Sequence, residues 1–179
     1  MTNLNINLAT TRNNGFTLTE ILTVVAIVGI LSSIALPNYL KQLSRTHQDE
    51  AAASITQLQN AIVAFADENG IYPTSWKELN EVAAIMTPSG ATTQNDFKKM
   101  TLASVGCKKE GDNNCYTVEA TYEKEDALYT LTAMPVDSRL QKYNVIACLD
   151  LRLGTSDFKK GKKSSAAKIS SLVCGDPDG

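Results

Sequence analysis

The spacing of apolar positions divides this chain into two regimes. From Phe16 to Leu36 the sequence FTLTEILTVVAIVGILSSIAL carries one charge, Glu20, and its apolar residues fall on every face of a helix rather than along one stripe. A bilayer core requires about 20 such residues in helical form, so the pattern predicts a membrane-spanning helix over 16–36. A small layered domain could hardly cover a helix that is apolar all round, which disfavours a buried core helix. After Pro37 the pattern turns amphipathic, with Tyr39, Leu40, Leu43, Ile55, Leu58, Ile62 and Phe65 recurring at helical steps along one face. The helix is therefore expected to continue past the membrane. Pro37 removes a backbone donor and should kink or locally open it, with Gly29 as a second weak point. Gly70, following Asp67-Glu68-Asn69, reads as the stop.

Farther along, alternation replaces the helical period. Cys115–Tyr122, Leu128–Met134 and Tyr143–Leu151 are rich in β-branched and aromatic residues and should pair as antiparallel strands. Glu123-Lys124-Glu125-Asp126 forms a polar turn between the first two, and Pro135 closes the second. Between helix and strands, Ser75–Gln94 reads as a loop with a short helix, capped by Ser75 with Glu78 three residues on. The segment Asp157–Lys168 concentrates Lys159, Lys160, Lys162, Lys163 and Lys168 among small residues and is expected to be an exposed loop. The fold class that follows is α+β: a long N-terminal helix, membrane-spanning in its first half, packed on a small antiparallel sheet.

Composition narrows the chemistry. With 179 residues the chain holds one globular domain, and 17 basic against 19 acidic residues leave no global bias toward nucleic acid. The single histidine, His47, lies in a polar stretch and is read as solvated, and its solitude excludes histidine-based catalytic sites. No glycine-rich phosphate loop is present, so neither an enzyme, a cofactor nor a metal site is expected. Asp176 and Asp178 are too few for a calcium site. A secretory signal peptide would share the basic flank at Arg12. Such peptides have apolar runs of about 7 to 15 residues and a small-residue cleavage site after them, and this run is longer and contains a glutamate.

Gly15-Phe16-Thr17-Leu18-Thr19-Glu20, after a polar leader and before a long apolar helix, resembles the processing motif of type IV pilins and pseudopilins. Gly29, the segment Ala35-Leu36-Pro37-Asn38-Tyr39 and the segment Asn69-Gly70-Ile71-Tyr72-Pro73-Thr74 are also similar to that family. The 15-residue leader is longer than usual for pilins with a mature Phe and is similar to leaders of some cyanobacterial pilins. The resemblance implies that a prepilin peptidase cuts between Gly15 and Phe16 and that the new amine of Phe16 is methylated. Residues 1–15 would then be a removed leader, 16–36 the transmembrane and polymerisation helix, and 37–179 a periplasmic or extracellular head. Arg12 fits a leader on the cytoplasmic side. Before assembly the chain would cross the inner membrane once, in contact with lipid; afterwards it would form part of an extracellular pilus. The implied partners are other pilin subunits, the peptidase and the assembly machinery.

Glu20 is the expected assembly residue. A carboxylate at membrane depth costs about 2.5 to 3.5 kcal/mol on insertion scales, and the ammonium of Phe16, in the same chain or a neighbour, is the available counter-charge. The four cysteines contain no C-x-x-C pair, and export favours disulfides over zinc. Of the possible pairings, Cys107 with Cys115 and Cys148 with Cys174 are favoured because each closes a local, polar, glycine-containing loop. The second is similar to the C-terminal disulfide loop of many pilins, and its closure would stabilise the head by about 3 kcal/mol. The function expected is a structural pilus subunit serving motility, adhesion or DNA uptake. The alternatives are a type II secretion pseudopilin or minor pilin, and a membrane-anchored binding domain that never polymerises. Repetition of the lysine cluster along a filament would permit weak binding of DNA.

Overall fold

A computed structural model of the chain describes residues 15–104 and 106–175. Arg12, Asp176 and Asp178 lie outside the described residues. Helix α1 spans Leu18–Asn69, and the chain divides into two compact units, one ending at Leu40 and the other beginning at Lys41.

In the first unit the helix assignment is continuous, and neither Gly29 nor Pro37 ends it. Its polar side chains return hydrogen bonds to their own backbone: Thr23 Oγ1 donates to the Thr19 carbonyl at 2.8 Å and Ser33 Oγ to that of Ile30 at 2.7 Å. Such back-bonding satisfies hydroxyls that an apolar medium would leave without partners.

The second unit is the α+β head that the alternating pattern anticipated. Its part of α1 buries Gln48, Ala51, Ala52, Ile55, Leu58, Ala61, Ile62 and Phe65 along one face. Tyr39, Leu40 and Leu43, expected on the same stripe, are exposed instead. Periodicity reports where an apolar stripe runs and not which part of it another element covers. Gly70 ends the helix at a φ of 67°, in the left-handed region that glycine adopts without steric cost.

Beyond it come α2 (Trp76–Leu79), a small hairpin of β1 (Met86–Thr87) with β2 (Gly90–Ala91), and then β3 (Met100–Thr101), β4 (Tyr116–Glu123), β5 (Leu128–Pro135), β6 (Val145–Asp150) and β7 (Thr155–Lys160). The last five form one antiparallel meander in chain order. Its inner face is built from cross-strand rows: Val118, Ala133 and Val145; Ala120, Leu131 and Ala147; Tyr122, Tyr129 and Leu149. These rows and the buried face of α1 share one apolar core. Each large side chain fully buried there, such as Ile55, Ile62 or Leu131, contributes about 2 kcal/mol of transfer free energy.

The structure corrects several sequence expectations. Residues 157–160, read as the start of an exposed loop, belong to the edge strand β7. Its lysines masked the alternation, yet charged residues are characteristic of edge strands, where they discourage pairing with other chains. Tyr143 ends a 3-10 turn over Ser138–Tyr143 rather than opening a strand, because Asp137 caps that turn through the Arg139 amide at 2.9 Å. The Ser75–Gln94 loop contains the β1–β2 hairpin as well as α2. Ser75 caps α2 as expected, but the Glu78 carboxylate reaches back to the amide of Thr74 at 2.5 Å instead of to Ser75. His47 is not solvated: its ring is 13% exposed, lies 3.4 Å from Glu50, and packs so closely on Gly106 that no Cβ would fit there.

The segment after α1 docks on an aromatic series. Tyr72 meets Tyr122 edge-on, Tyr122 stacks on Tyr129, Tyr129 meets Phe97, and Phe97 meets Trp76. The Tyr129 hydroxyl donates to the Pro73 carbonyl at 2.7 Å, and burial raises its pKa far above the ordinary tyrosine range.

Candidate functional site

The start of α1 is organised by a reciprocal cap that the sequence reading did not recognise. Thr17 is the N-cap, and the amide of Glu20 donates to its Oγ1 at 3.2 Å. Glu20, three residues on, accepts the Thr17 amide at 2.8 Å and the Thr17 hydroxyl at 2.7 Å. This is a capping box, and Thr17-Leu18-Thr19-Glu20 carries its T-x-x-E signature. Both bonds accepted from Thr17 fall on Oε2. An ionised carboxylate offers about four acceptor positions over its two oxygens, so the cap leaves it capacity for a cation. The carboxylate also sits at the positive end of the helix dipole.

Gly15 and Phe16 precede the helix, and Phe16 is 86% exposed. From Leu18 to Leu43 the large apolar side chains Ile21, Leu22, Val24, Val25, Ile27, Val28, Ile30, Leu31, Ile34 and Leu36 are all exposed. α1 contains the one helix segment among the described residues long and apolar enough to cross a membrane. Exposed apolar surface this extensive marks a membrane or partner contact in a folded protein.

In the head, Cys107 is bonded to Cys115 and Cys148 to Cys174. The second bond ties the C-terminal segment to the outer face of β6, where Cys148 lies opposite Asp157 of β7. The Asp157 carboxylate accepts the amide of Val173 at 3.0 Å, which together with nearby Lys159 holds its pKa below the ordinary aspartate value. Among the described residues no cluster of His, Cys, Asp or Glu is placed to hold a metal ion.

The lysine cluster does not form one face. Alternation along β7 places Lys159 on the outer side, bound to the Ser171 carbonyl and 3.4 Å from Asp157. Lys160 lies on the helix side, 2.7 Å from Asp49. Just beyond, a buried polar node fastens the following loop to α1. Gln48 Nε2 donates to the carbonyls of Asn144 and Gly161 at 3.2 and 2.8 Å, while the Asn144 side chain exchanges two hydrogen bonds with Ala167. The sequence reading missed Gln48 because a polar residue on an apolar stripe looks like a solvated one.

The described residues thus join an exposed apolar N-terminal helix, long enough to cross a membrane, to a disulfide-bonded α+β head. Comparison with known proteins shows what the chain's N-terminal part is similar to. The prokaryotic N-terminal methylation motif matches residues 10–36. The chain is 43% identical over 68 residues to the type IV major pilin protein PilA of Myxococcus xanthus, covering 38% of this chain and 31% of that protein. It is 32% identical over 87 residues to the type II secretion system core protein G of Aeromonas hydrophila, covering 49% and 59%. It is 34% identical over 84 residues to the corresponding protein of Vibrio cholerae, covering 47% and 56%. The chain thus spans about a third to three fifths of the length of the curated relatives it matches. No solved structure matches it. The N-terminal part of the chain is thus similar to type IV pilin and type II secretion core proteins and carries a prepilin-like methylation motif. The matched relatives are a pilin and secretion-system core proteins.

Proposed function

We propose that the chain is a structural subunit of a type IV pilus. In this reading it is cut between Gly15 and Phe16, methylated on the Phe16 amine, held in the inner membrane by residues 16–36 and then assembled through that helix into an extracellular filament. The observation that carries the reading is the capped Glu20 at the start of a helix whose apolar side chains are exposed on all faces. An isolated carboxylate there would be costly. The Thr17 cap removes part of that cost, and a neighbour's ammonium, that of its Phe16, supplies the rest through an interaction that exists only between subunits. Charge pairing sets the axial register, while Ile21, Leu22, Val24 and Val25 supply packing among neighbouring helices. Local opening at Gly29 and Pro37 would let the segment lengthen or bend during assembly.

A secretion pseudopilin is the second reading, favoured by the similarity to the type II core proteins. The two disulfides of the head support the pilus reading instead. Surface filaments sheared from cells and probed for this chain decide between them: recovery in long extracellular filaments supports the pilus, and retention in the cell envelope supports the pseudopilin. Processing has its own test. Gly15→Val is expected to leave an uncut, membrane-held precursor, because only glycine lets the backbone adopt conformations closed to other residues at the scissile bond. Mature-length protein from that variant would refute the cleavage site.

A further inference from the structure

A second site lies in the head, at the end of the sheet where β6 begins and β7 finishes. Arg45, Gln48 and Asp49 of α1, Tyr143, and the turn Lys160-Gly161-Lys162-Lys163-Ser164 line a cleft of about 660 Å³. Four cations and one carboxylate meet there, in a chain whose net charge is -2. Asp49 is engaged by Lys160, which leaves Arg45, Lys162 and Lys163 as an excess of positive charge around the cleft. The backbone beneath is fixed: Gln48 and Asn144 hold Gly161, and a Cβ at Gly161 would strike the Lys142 carbonyl. A guanidinium beside two ammonium groups, with a tyrosine ring in the wall, suits a phosphate group carried on an amphipathic molecule.

The place of the cleft in the chain indicates the source of that phosphate. Gln48 meets Asn144 and Gly161, whereas Gln59, farther along α1, meets Cys148. The cleft therefore lies at the end of the head where the chain enters from the apolar segment. Arg45 follows Leu36 by nine residues, and a chain of that length spans no more than about 30 Å even when fully extended. An anchored subunit thus carries this cleft beside the membrane surface for as long as it stays in the bilayer. We infer that the cleft formed by Arg45, Tyr143, Lys162 and Lys163 binds the phosphate of an anionic phospholipid while the subunit awaits assembly. This rests on the membrane-held reading given above. Lipid would orient the head on the membrane, and extraction into a filament would release it.

The test uses the full-length mature chain in neutral detergent, with native mass spectrometry counting bound lipid. Phosphatidylglycerol is expected to be retained in preference to phosphatidylcholine. Three basic residues near an anionic lipid together account for about a hundredfold in affinity, so R45Q/K162Q/K163Q should lose most of that preference. The charge-matched control K99Q/K108Q/K124Q should keep it. Equal retention by the cleft variant, or equal loss in the control, would overturn the proposal. So would displacement of the lipid by an equimolar amount of inorganic phosphate, which would make the cleft a free-anion site, or preferential capture of a short DNA duplex. Failure of the membrane reading shows separately, as recovery of wild type and variant alike from the soluble fraction of lysed cells.

Discussion

The two stretches of α1 on either side of Leu40 share one secondary structure and differ in what their side chains demand. Before Leu40 the apolar residues face all directions and are exposed; after Gln48 they face one direction and are buried. In the head the helix has already found its partner in the sheet, and the energetics close within one chain. Among the described residues the first unit contains nothing that covers its apolar surface, which suits contact with lipid or other helices. The same contrast holds for charge. Asp157 finds its partners, Val173 and Lys159, within the fold, whereas Glu20 finds only a partial one in Thr17.

The largest effect should come from breaking the open half of that contrast. Glu20→Ala is expected to enter the membrane normally and to be recruited into filaments at least about tenfold less when it is the only subunit, since a charge-assisted pair is worth about 1.5 to 3 kcal/mol. Quantifying sheared filaments against membrane-held protein reads this out, and abundant filaments of normal length would show that the charge pair does not drive assembly. Thr17→Ala tests the cap alone, with a loss of about 1 kcal/mol at the helix end and the pairing charge intact.

Within the head, Cys148→Ser with Cys174→Ser should lower unfolding free energy by about 3 kcal/mol while leaving membrane insertion unchanged. Urea unfolding of the full chain in detergent, followed by the fluorescence of Trp76, measures the loss. Gly161→Ala should cost about 2 kcal/mol, because its new methyl meets the Lys142 carbonyl while the Gln48 node holds Gly161 in place. A stability equal to wild type would show that the loop relaxes freely.

The smallest effect concerns pH. The Asp157 carboxyl titrates below its ordinary value because it accepts the Val173 amide. Its contribution to stability is therefore complete above the unfolded aspartate value of about 3.9 and is lost as pH falls through the lower folded value. Exchange at the Val173 amide, after correction for the intrinsic pH dependence, should rise in that acidic window and be independent of pH above about 5. Asp157→Asn should remove the pH dependence, and an unchanged profile in that variant would assign it to another group.

The sequence by itself determined the elements whose signals are local. The apolar run from Phe16 to Leu36, the helix stop at Gly70 and the alternation of β4 and β5 each follow from spacing, because a helix or strand repeats its burial demand at a fixed period. The T-x-x-E cap at Thr17 is legible in the same local way, since its signature spans only four residues. What only the tertiary structure decided were the places where distant residues meet. Gln48 became a buried anchor because Asn144 and Gly161 fold over it, and His47 became largely buried because Gly106 packs against its ring. The lysines of β7 were parted onto two faces by strand pairing, which a run of like charges in the sequence conceals. Arg45 joined Lys162 and Lys163 across more than a hundred residues of chain. No local period encodes such meetings, since they depend on which faces pack once the core has formed.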